Sequence, residues 1–315
     1  MSEVFALGVD IGGTKVAAGL VDAQGQIVKR ARVPMNATGD AESGLAAVIA
    51  GIRELMPSSA VSIRGIGICS PGPLDPRTGV VINPPNLPCW RNFPLAERVR
   101  SAYNVAVKVD NDANAAGLAE VLWGAARGYK NVFYATVGTG IGSGIILNGR
   151  ILHGRTGAAG EAGHMGIDVH GPKCPCGKKG CIEVLASGPA IGRRARHKLA
   201  SHPDSLLLQM ADGDIQAVNG EVVSRAAQQG DAVAKEVIDE TLELIAYWLG
   251  NVIDFQEPDV IVMGGGVSTM LAPYLESIRK RWIGSIVNPW PEQVPLLLAR
   301  YGEEAGIAGA AALCE

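Results

Sequence analysis

Residues 4–33 read VFALGVDIGGTKVAAGLVDAQGQIVKRARV, and residues 131–152 read NVFYATVGTGIGSGIILNGRIL. In the first stretch the apolar run VFALGVD has the composition of a buried strand and ends in an acid. IGGTK then turns the chain into a second strand, and Ala23-Gln24-Gly25 turns it again into a third. The second stretch repeats the plan: strand, glycine turn, strand, turn, strand. With Asp10 set against Thr136 the two align without gaps. Gly12 meets Gly138, and Leu20-Val21-Asp22 meets Ile146-Leu147-Asn148. A repeat at this separation implies two related halves.

Alternating elements follow each of these meanders. After the first come a helical pattern over 41–56, a strand over 61–72, a proline-rich irregular loop (NPPNLPCWRNFP, 83–94), a strand over 103–112 and a helix over 113–126. After the second come helical stretches at 187–200 and 231–255. A strand entering a glycine turn (PDVIVMGGGVS, 258–268), a strand over 294–300 and a closing helix of small residues (303–314) complete the chain. Three strands followed by alternating helices and strands, done twice, predict an α/β protein of two domains. The role of 201–221 stays open, between a helical face beside a ligand and a subunit contact.

Composition narrows the function. At 47% hydrophobic and 19% charged, the 315 residues can build a sizeable core and do not read as disordered. Net charge is −3, with no long basic run, which argues against nucleic acid as the main partner. The start of the chain has no cationic n-region, and no segment approaches the roughly 20 apolar residues of a membrane span. The expectation is a cytoplasmic protein with no membrane partner, where reducing conditions disfavour disulfides and clustered cysteines lean toward metal.

Three glycine turns stand out. DIGGT (10–14) lets backbone N–H groups approach phosphate oxygens, and Asp10 at the strand end is placed to hold Mg²⁺. GTGIGSG (138–144) runs into a strand, so it is not a dinucleotide fingerprint, and no P-loop pattern is present. GGG at 264–266 is the third. Asp110-Asn111-Asp112 ends a strand and starts a helix. Capping needs one such residue, and this segment has three, so a carboxylate here is also a candidate general base for a hydroxyl.

CPCGKKGC (174–181) carries three of the six cysteines. The spacing leaves an odd thiol and lacks the C-x-x-C of a redox pair, whereas Zn²⁺ takes four thiolate or imidazole ligands. His164 and His170 both lie close enough in sequence to supply the fourth, and Lys173, Lys178 and Lys179 offset the excess negative charge. Cys69, Cys89 and Cys314 show no ligand spacing and read as buried thiols.

Taken together, DIGGTK, GTGIGSG, GGGVS, and EAGHMGI followed by CPCGKKGCIE resemble the ROK family of repressors and sugar kinases across essentially the whole chain. The resemblance implies an actin-like (hexokinase/RNase H-like) ATPase fold with two lobes around a cleft. The smaller lobe would span 1–112 plus 302–315, and the larger 113–301 with the zinc segment. It implies structural Zn²⁺ on His164, Cys174, Cys176 and Cys181, a choice of His164 over His170 that spacing leaves open. Asp112 becomes the general base. Asn86, Asn111, Asp112, Glu161, His164 and Glu183 become sugar contacts. Asp10 stands by Mg²⁺-ATP, with Gly12, Gly13, Thr14 and Lys15 on one wall of the phosphates and Gly138, Thr139 and Gly140 on the other. Gly264, Gly265 and Gly266 face the adenosine. On this pattern the metal shapes the sugar pocket without touching the phosphates.

The activity implied is ATP-dependent hexose phosphorylation, with glucose giving glucose 6-phosphate, in a homodimer or homotetramer. Alternatives are a kinase for N-acetylmannosamine, N-acetylglucosamine, mannose or fructose, and a sugar-sensing regulator. A repressor would carry a helix-turn-helix before the first phosphate strand, for which the residues ahead of Val4 leave no room.

Overall fold

The computed structural model describes residues 4–56 and 62–315. In chain order the strands are β1 (Val4–Ile11), β2 (Lys15–Val21), β3 (Ile27–Pro34), β4 (Ser62–Ser70), β5 (Leu74–Asp75), β6 (Val80–Val81), β7 (Val107–Asn111), β8 (Val132–Val137), β9 (Ile141–Leu147), β10 (Arg150–Ile151), β11 (Val260–Gly264) and β12 (Leu296–Leu298). The helices are α1 (Ala41–Leu55), α2 (Leu95–Tyr103), α3 (Asp112–Leu122), α4 (Ile182–Ala186), α5 (Gly188–Leu199), α6 (Leu206–Gln209), α7 (Gly220–Gln228), α8 (Ala232–Gln256), α9 (Gly266–Met270), α10 (Leu275–Trp282) and α11 (Ala305–Ala312). Residue 61, included in the expected strand, lies outside the described residues.

The two large sheets have one topology. Their orders are β3-β2-β1-β4-β7 and β10-β9-β8-β11-β12, so each is an antiparallel meander extended by two later strands. The added strands pair in parallel, β4 on β1, β7 on β4 and β12 on β11. The internal repeat read from the glycine hairpins is therefore a repeat of topology.

Contacts divide the chain into two units. Unit 1 takes the chain up to Tyr134, Gly144–Gly160 and Ala299–Glu315; unit 2 takes Ala135–Ser143 and Glu161–Leu298. This division differs from the expected boundary at residue 112, because α3 groups with unit 1. The reason is packing: α11 lies against α3, with Ala308 and Ala312 on Ala119, and a Cβ on Gly309 would come within 2.6 Å of the Ala115 backbone. Glu120, 1% exposed, completes the join: Oε1 accepts the N–H groups of Arg300 and Tyr301, and Oε2 accepts that of Ala125. The last bond also ends α3 at Leu122, four residues before the periodicity runs out, by drawing the next turn back over the carboxylate.

In unit 1 the apolar faces of β1, β2 and β3 bury against α1, whose N-cap Asp40 accepts the Ser43 N–H at 2.7 Å. On the other side α11 lies directly on the strands. Gly8 and Gly67 are register partners in β1 and β4, and Cβ atoms there would stand 2.1 Å from Ile307 O and 1.7 Å from Ala310 O. No side chain fits, so the alanine-rich helix rests on bare backbone. In unit 2 the 25-residue α8 is the central helix, burying Val237, Leu242, Ile245, Leu249 and Val252. Its N-cap Asp231 also accepts Ser205 Oγ–H and Leu206 N–H, tying α6 to it. Among the described residues no helix is long and apolar enough to cross a membrane.

Two glycines in unit 1 give opposite expectations. Gly67→Ala forces backbone apart and is expected to cost at least about 1–3 kcal/mol. Gly51→Ala, inside α1 with nothing closer than 3.7 Å to the new methyl, is expected to stabilise by roughly 0.5–1 kcal/mol. Urea unfolding of both reads the difference; equal effects would contradict the close contact of α11 on the sheet.

Candidate active site

Unit 1 gathers the first glycine turn, Asp10, Asn86 and the Asp110–Asp112 corner. The turn closes through Gly12 N–H to Lys15 O at 2.9 Å, leaving Thr14 and Lys15 exposed. A Cβ on Gly13 would stand 3.0 Å from Asn86 O, so the proline-rich loop runs beside the turn. Asp10 ends β1 against the first turn of α11, where a Cβ on Gly306 would lie 2.3 Å from its carboxyl carbon. Burial raises the Asp10 pKa, opposed by the Cys69 thiol and the Lys15 charge. An anion that its surroundings disfavour gains from a divalent cation, so the donor suits Mg²⁺. Cys69 is more than a filler. It is fully buried, with Sγ 3.3 Å from Asp10 Oδ1 and 3.2 Å from Gly306 O, and burial plus nearby carboxylates push its pKa well up.

At the corner the three polar residues divide the work. Asn111 is the cap, its Oδ1 accepting Ala113 N–H at 2.9 Å. Asp112 opens α3, is exposed, and accepts the Ala113 N–H at 2.8 Å through Oδ1. Asp110 is buried and braces the corner: Oδ1 takes Asn111 N–H and Asn114 Nδ2, and Oδ2 meets His153 Nε2 at 2.6 Å. The hydrogen bond to Asp110 raises the His153 pKa. Sequence reasoning missed His153, because a lone histidine after a short strand carries no signal until its partner is known.

Unit 2 gathers the second and third glycine turns and the cysteine segment. The hairpin between β8 and β9 closes through Gly138 N–H to Gly140 O at 2.9 Å, and Thr139 is exposed at its tip. Gly265, at φ +87, brings the β11 turn against Val137 O, 2.5 Å from where a Cβ would be. Gly138, Thr139, Gly266, Arg196, Asn219 and Arg225 help to line a cavity of about 620 Å³. The end of the unassigned 201–221 segment thus lines a cavity. The two arginines also went unread, since Arg196 sits in a basic helical stretch that looks solvated.

The ring and thiol groups of His164, Cys174, Cys176 and Cys181 lie within 4.8 Å of one another. Cys174 Sγ is 3.7 Å from His164 Nδ1, and Cys176 Sγ is 3.6 Å from Cys181 Sγ. A tetrahedral Zn²⁺ site with ordinary bond lengths has edges of about 3.6–3.8 Å. The loop is shaped for this by Cys174 N–H to Lys178 O and Gly177 N–H to Cys174 O. Burial and the neighbouring thiols push the Cys181 pKa up to about 12, so the cluster needs a cation to hold it as thiolates. The residues fit zinc. His170 is exposed and outside the group. Glu161 precedes the short turn Ala162–His164 and is exposed. Glu183, in α4, accepts Ile141 N–H at 3.0 Å through Oε2.

The Asp110–His153 pair yields a pH-dependent expectation. His153→Ala leaves a buried carboxylate short of a partner and is expected to cost about 1–3 kcal/mol. Because the folded pKa of His153 is raised, the charged ring's stabilisation is full below its unfolded value of about 6.5 and is lost as pH rises through the folded one. The stability gap between wild type and variant, measured in urea, should narrow toward alkaline pH. A constant gap would show that the charge on the ring contributes nothing.

The sequence matches the ROK family over residues 6–315. A glucokinase of Streptomyces coelicolor is 35% identical over 98% of this chain and 97% of its own. An N-acetylmannosamine kinase of Yersinia pseudotuberculosis is also 35% identical, over 97% of this chain and 96% of its own. The crystal structure of a ROK family glucokinase from Streptomyces griseus, in complex with glucose and AMPPNP, superposes with a TM-score of 0.81 at 36% identity, covering 98% of each chain. The fold is that of the actin-like ATPases, and the chain belongs to the ROK family.

Proposed function

We propose that this protein transfers the γ-phosphoryl group of ATP to a hexose, with glucose as acceptor and glucose 6-phosphate as product. The observation that carries it is the near-full-length likeness to a glucokinase bound to glucose and AMPPNP. The three glycine turns that would serve the nucleotide are all retained here.

Asp112 is the general base. Its carboxylate accepts the proton of the sugar 6-hydroxyl while that oxygen bonds to the γ-phosphorus and the bond to the bridging oxygen of ADP breaks. The hold of Ala113 N–H on Oδ1 fixes the carboxylate's orientation at the head of α3. Asn86, Asn111, Glu161, His164 and Glu183 contact the sugar hydroxyls. Gly12, Gly13, Thr14, Lys15, Gly138, Thr139 and Gly140 serve the phosphates. Gly264, Gly265 and Gly266 face the adenosine, and the cavity lined by Gly266, Arg196 and Arg225 supports that assignment. Mg²⁺ accompanying ATP neutralises charge that develops on the phosphates, and Asp10 would hold it directly or through water. His164, Cys174, Cys176 and Cys181 would hold a structural Zn²⁺ with no open position.

A second acceptor class has its own support, since an N-acetylmannosamine kinase shares the same 35% identity with this chain as a glucokinase does. Discrimination lies in the room around the sugar's C2 substituent. A homodimer or homotetramer is the assembly proposed, and the exposed apolar side chains of Tyr247, Phe255 and Val287 in unit 2 are available for such a contact.

Asp112→Asn is expected to keep the fold and sugar binding and to lose roughly 10²–10⁴ in kcat on glucose with Mg-ATP; a near-normal rate would remove Asp112 from the mechanism. Cys176→Ser is expected to lose bound zinc and destabilise unit 2. Full zinc content in that variant would overturn the ligand set.

A further inference from the structure

Two arms leave the four-ligand cluster, and both end on the phosphate hairpin 138–143. The first is the short turn Ala162–His164, whose last residue is a candidate ligand. Its Ala162 N–H donates to Ser143 Oγ at 3.1 Å. Gly163 lies flat on the hairpin, since a Cβ there would come within 1.8 Å of Ile141 O. Behind it the buried Trp248 donates its indole N–H to Ala162 O at 3.1 Å, fixing the arm to α8.

The second arm is α4, whose N-cap is the ligand Cys181. Glu183, two residues on, accepts Ile141 N–H, and its Oε2 is 2.6 Å from where a Cβ on Gly140 would be. Just after α4, Gly188 N–H donates to Gly138 O at 2.8 Å. The arms are also joined near the cluster by Ile182 N–H to Met165 O and Ile167 N–H to Gly180 O. The hairpin is therefore gripped at Gly138, Gly140, Ile141 and Ser143 by residues that leave the cluster in two directions.

We propose that the metal clip is the clamp that sets the nucleotide-phosphate hairpin, with Glu183 as the positioning residue that transmits it. This rests on the zinc and nucleotide assignments made above. It changes the expectation that the metal acts on the sugar side alone. A carboxylate holding the Ile141 N–H fixes where the backbone of Gly138–Gly140 presents its donors, and the clip fixes where α4 begins. Releasing the metal lets His164 and Cys181 separate, and the hairpin then samples positions in which its N–H groups no longer converge on phosphate.

The test measures binding of Mg-AMPPNP by calorimetry with no sugar present, so that a purely sugar-contacting role of Glu183 cannot affect the result. Glu183→Ala is expected to weaken the affinity roughly three- to tenfold, the loss of part of one charge-assisted hydrogen bond. Glu183→Gln keeps an oxygen acceptor for Ile141 N–H and is expected to remain near wild type. Wild-type protein stripped of metal by a chelator is expected to match Glu183→Ala. In both, amide hydrogen exchange at Ile141 should speed up relative to the intact protein. Ser143→Ala, which touches neither sugar nor metal in the proposed assignments, is expected to weaken nucleotide binding in the same direction. Unchanged affinity in Glu183→Ala or in the stripped protein would overturn the proposal. Metal content measured on the same samples separates the failures. Protein isolated without zinc would refute the clip itself, while the Glu183 and Ser143 variants would still judge the link from the arms to the hairpin.

Discussion

Backbone resting on backbone, with no side chain between, is the constraint on which the rest of this structure depends. Dispersion and polar contacts at that range hold only where one partner lacks a Cβ. At Gly8 and Gly67 the constraint lets α11 lie on β1 and β4, which brings the helix start to Asp10. At Gly163 it seats the metal-side turn on Ile141 O, and at Gly265 it sets the β11 turn against Val137 O. Each contact sits beside a strand end that carries a candidate functional group. A protein with 41 glycines gives up chain entropy on folding. Here several of them stand in the turns proposed to present amide donors to phosphate.

Charge is arranged around the same strand ends. Asp10 of β1 and Asp110 of β7 stand on either side of Cys69 in β4, the strand between them, and burying carboxylates is costly unless each has donors or a cation. Asp110 has its donors within unit 1, from Asn111 N–H, Asn114 and His153. Asp10 has a thiol and the nearby charge of Lys15, a weaker set that suits a site meant to meet a metal-bound nucleotide. The cysteine cluster follows the same logic, its thiols held close together where burial disfavours the thiolate form and a bound cation would favour it.

Much of this was legible in the sequence because it is local. The hairpins at Ala23–Gly25 and Gly138–Gly140, the long α8 and the repeat of two meanders follow from glycine placement and apolar period, and the two sheets share one topology. The cysteine spacing pointed to metal, but choosing His164 over His170 took the family resemblance. What was not legible depends on contacts far apart in sequence. The pairing of His153 with Asp110 spans 43 residues, and that of Glu183 with Ile141 spans 42. The end of α3 is set by Glu120 folding back rather than by any breaker. Helix α2 escaped notice because it is short, follows a proline-rich loop and has no side-chain cap. Cys69 looked inert by spacing and proved to lie on Asp10.

The central claim is that this ROK protein phosphorylates a hexose, and that the hexose is glucose. The most direct measurement offers equal concentrations of glucose and N-acetylmannosamine to the enzyme in one tube with Mg-ATP, and quantifies both sugar phosphates by NMR from early time points. Product ratios under competition report the ratio of kcat/KM without separate calibrations. The account predicts glucose 6-phosphate as the dominant product, with ADP formed in equal amount. Dominant N-acetylmannosamine phosphate would contradict the choice of acceptor, and ADP formed with no sugar phosphate would contradict the kinase itself.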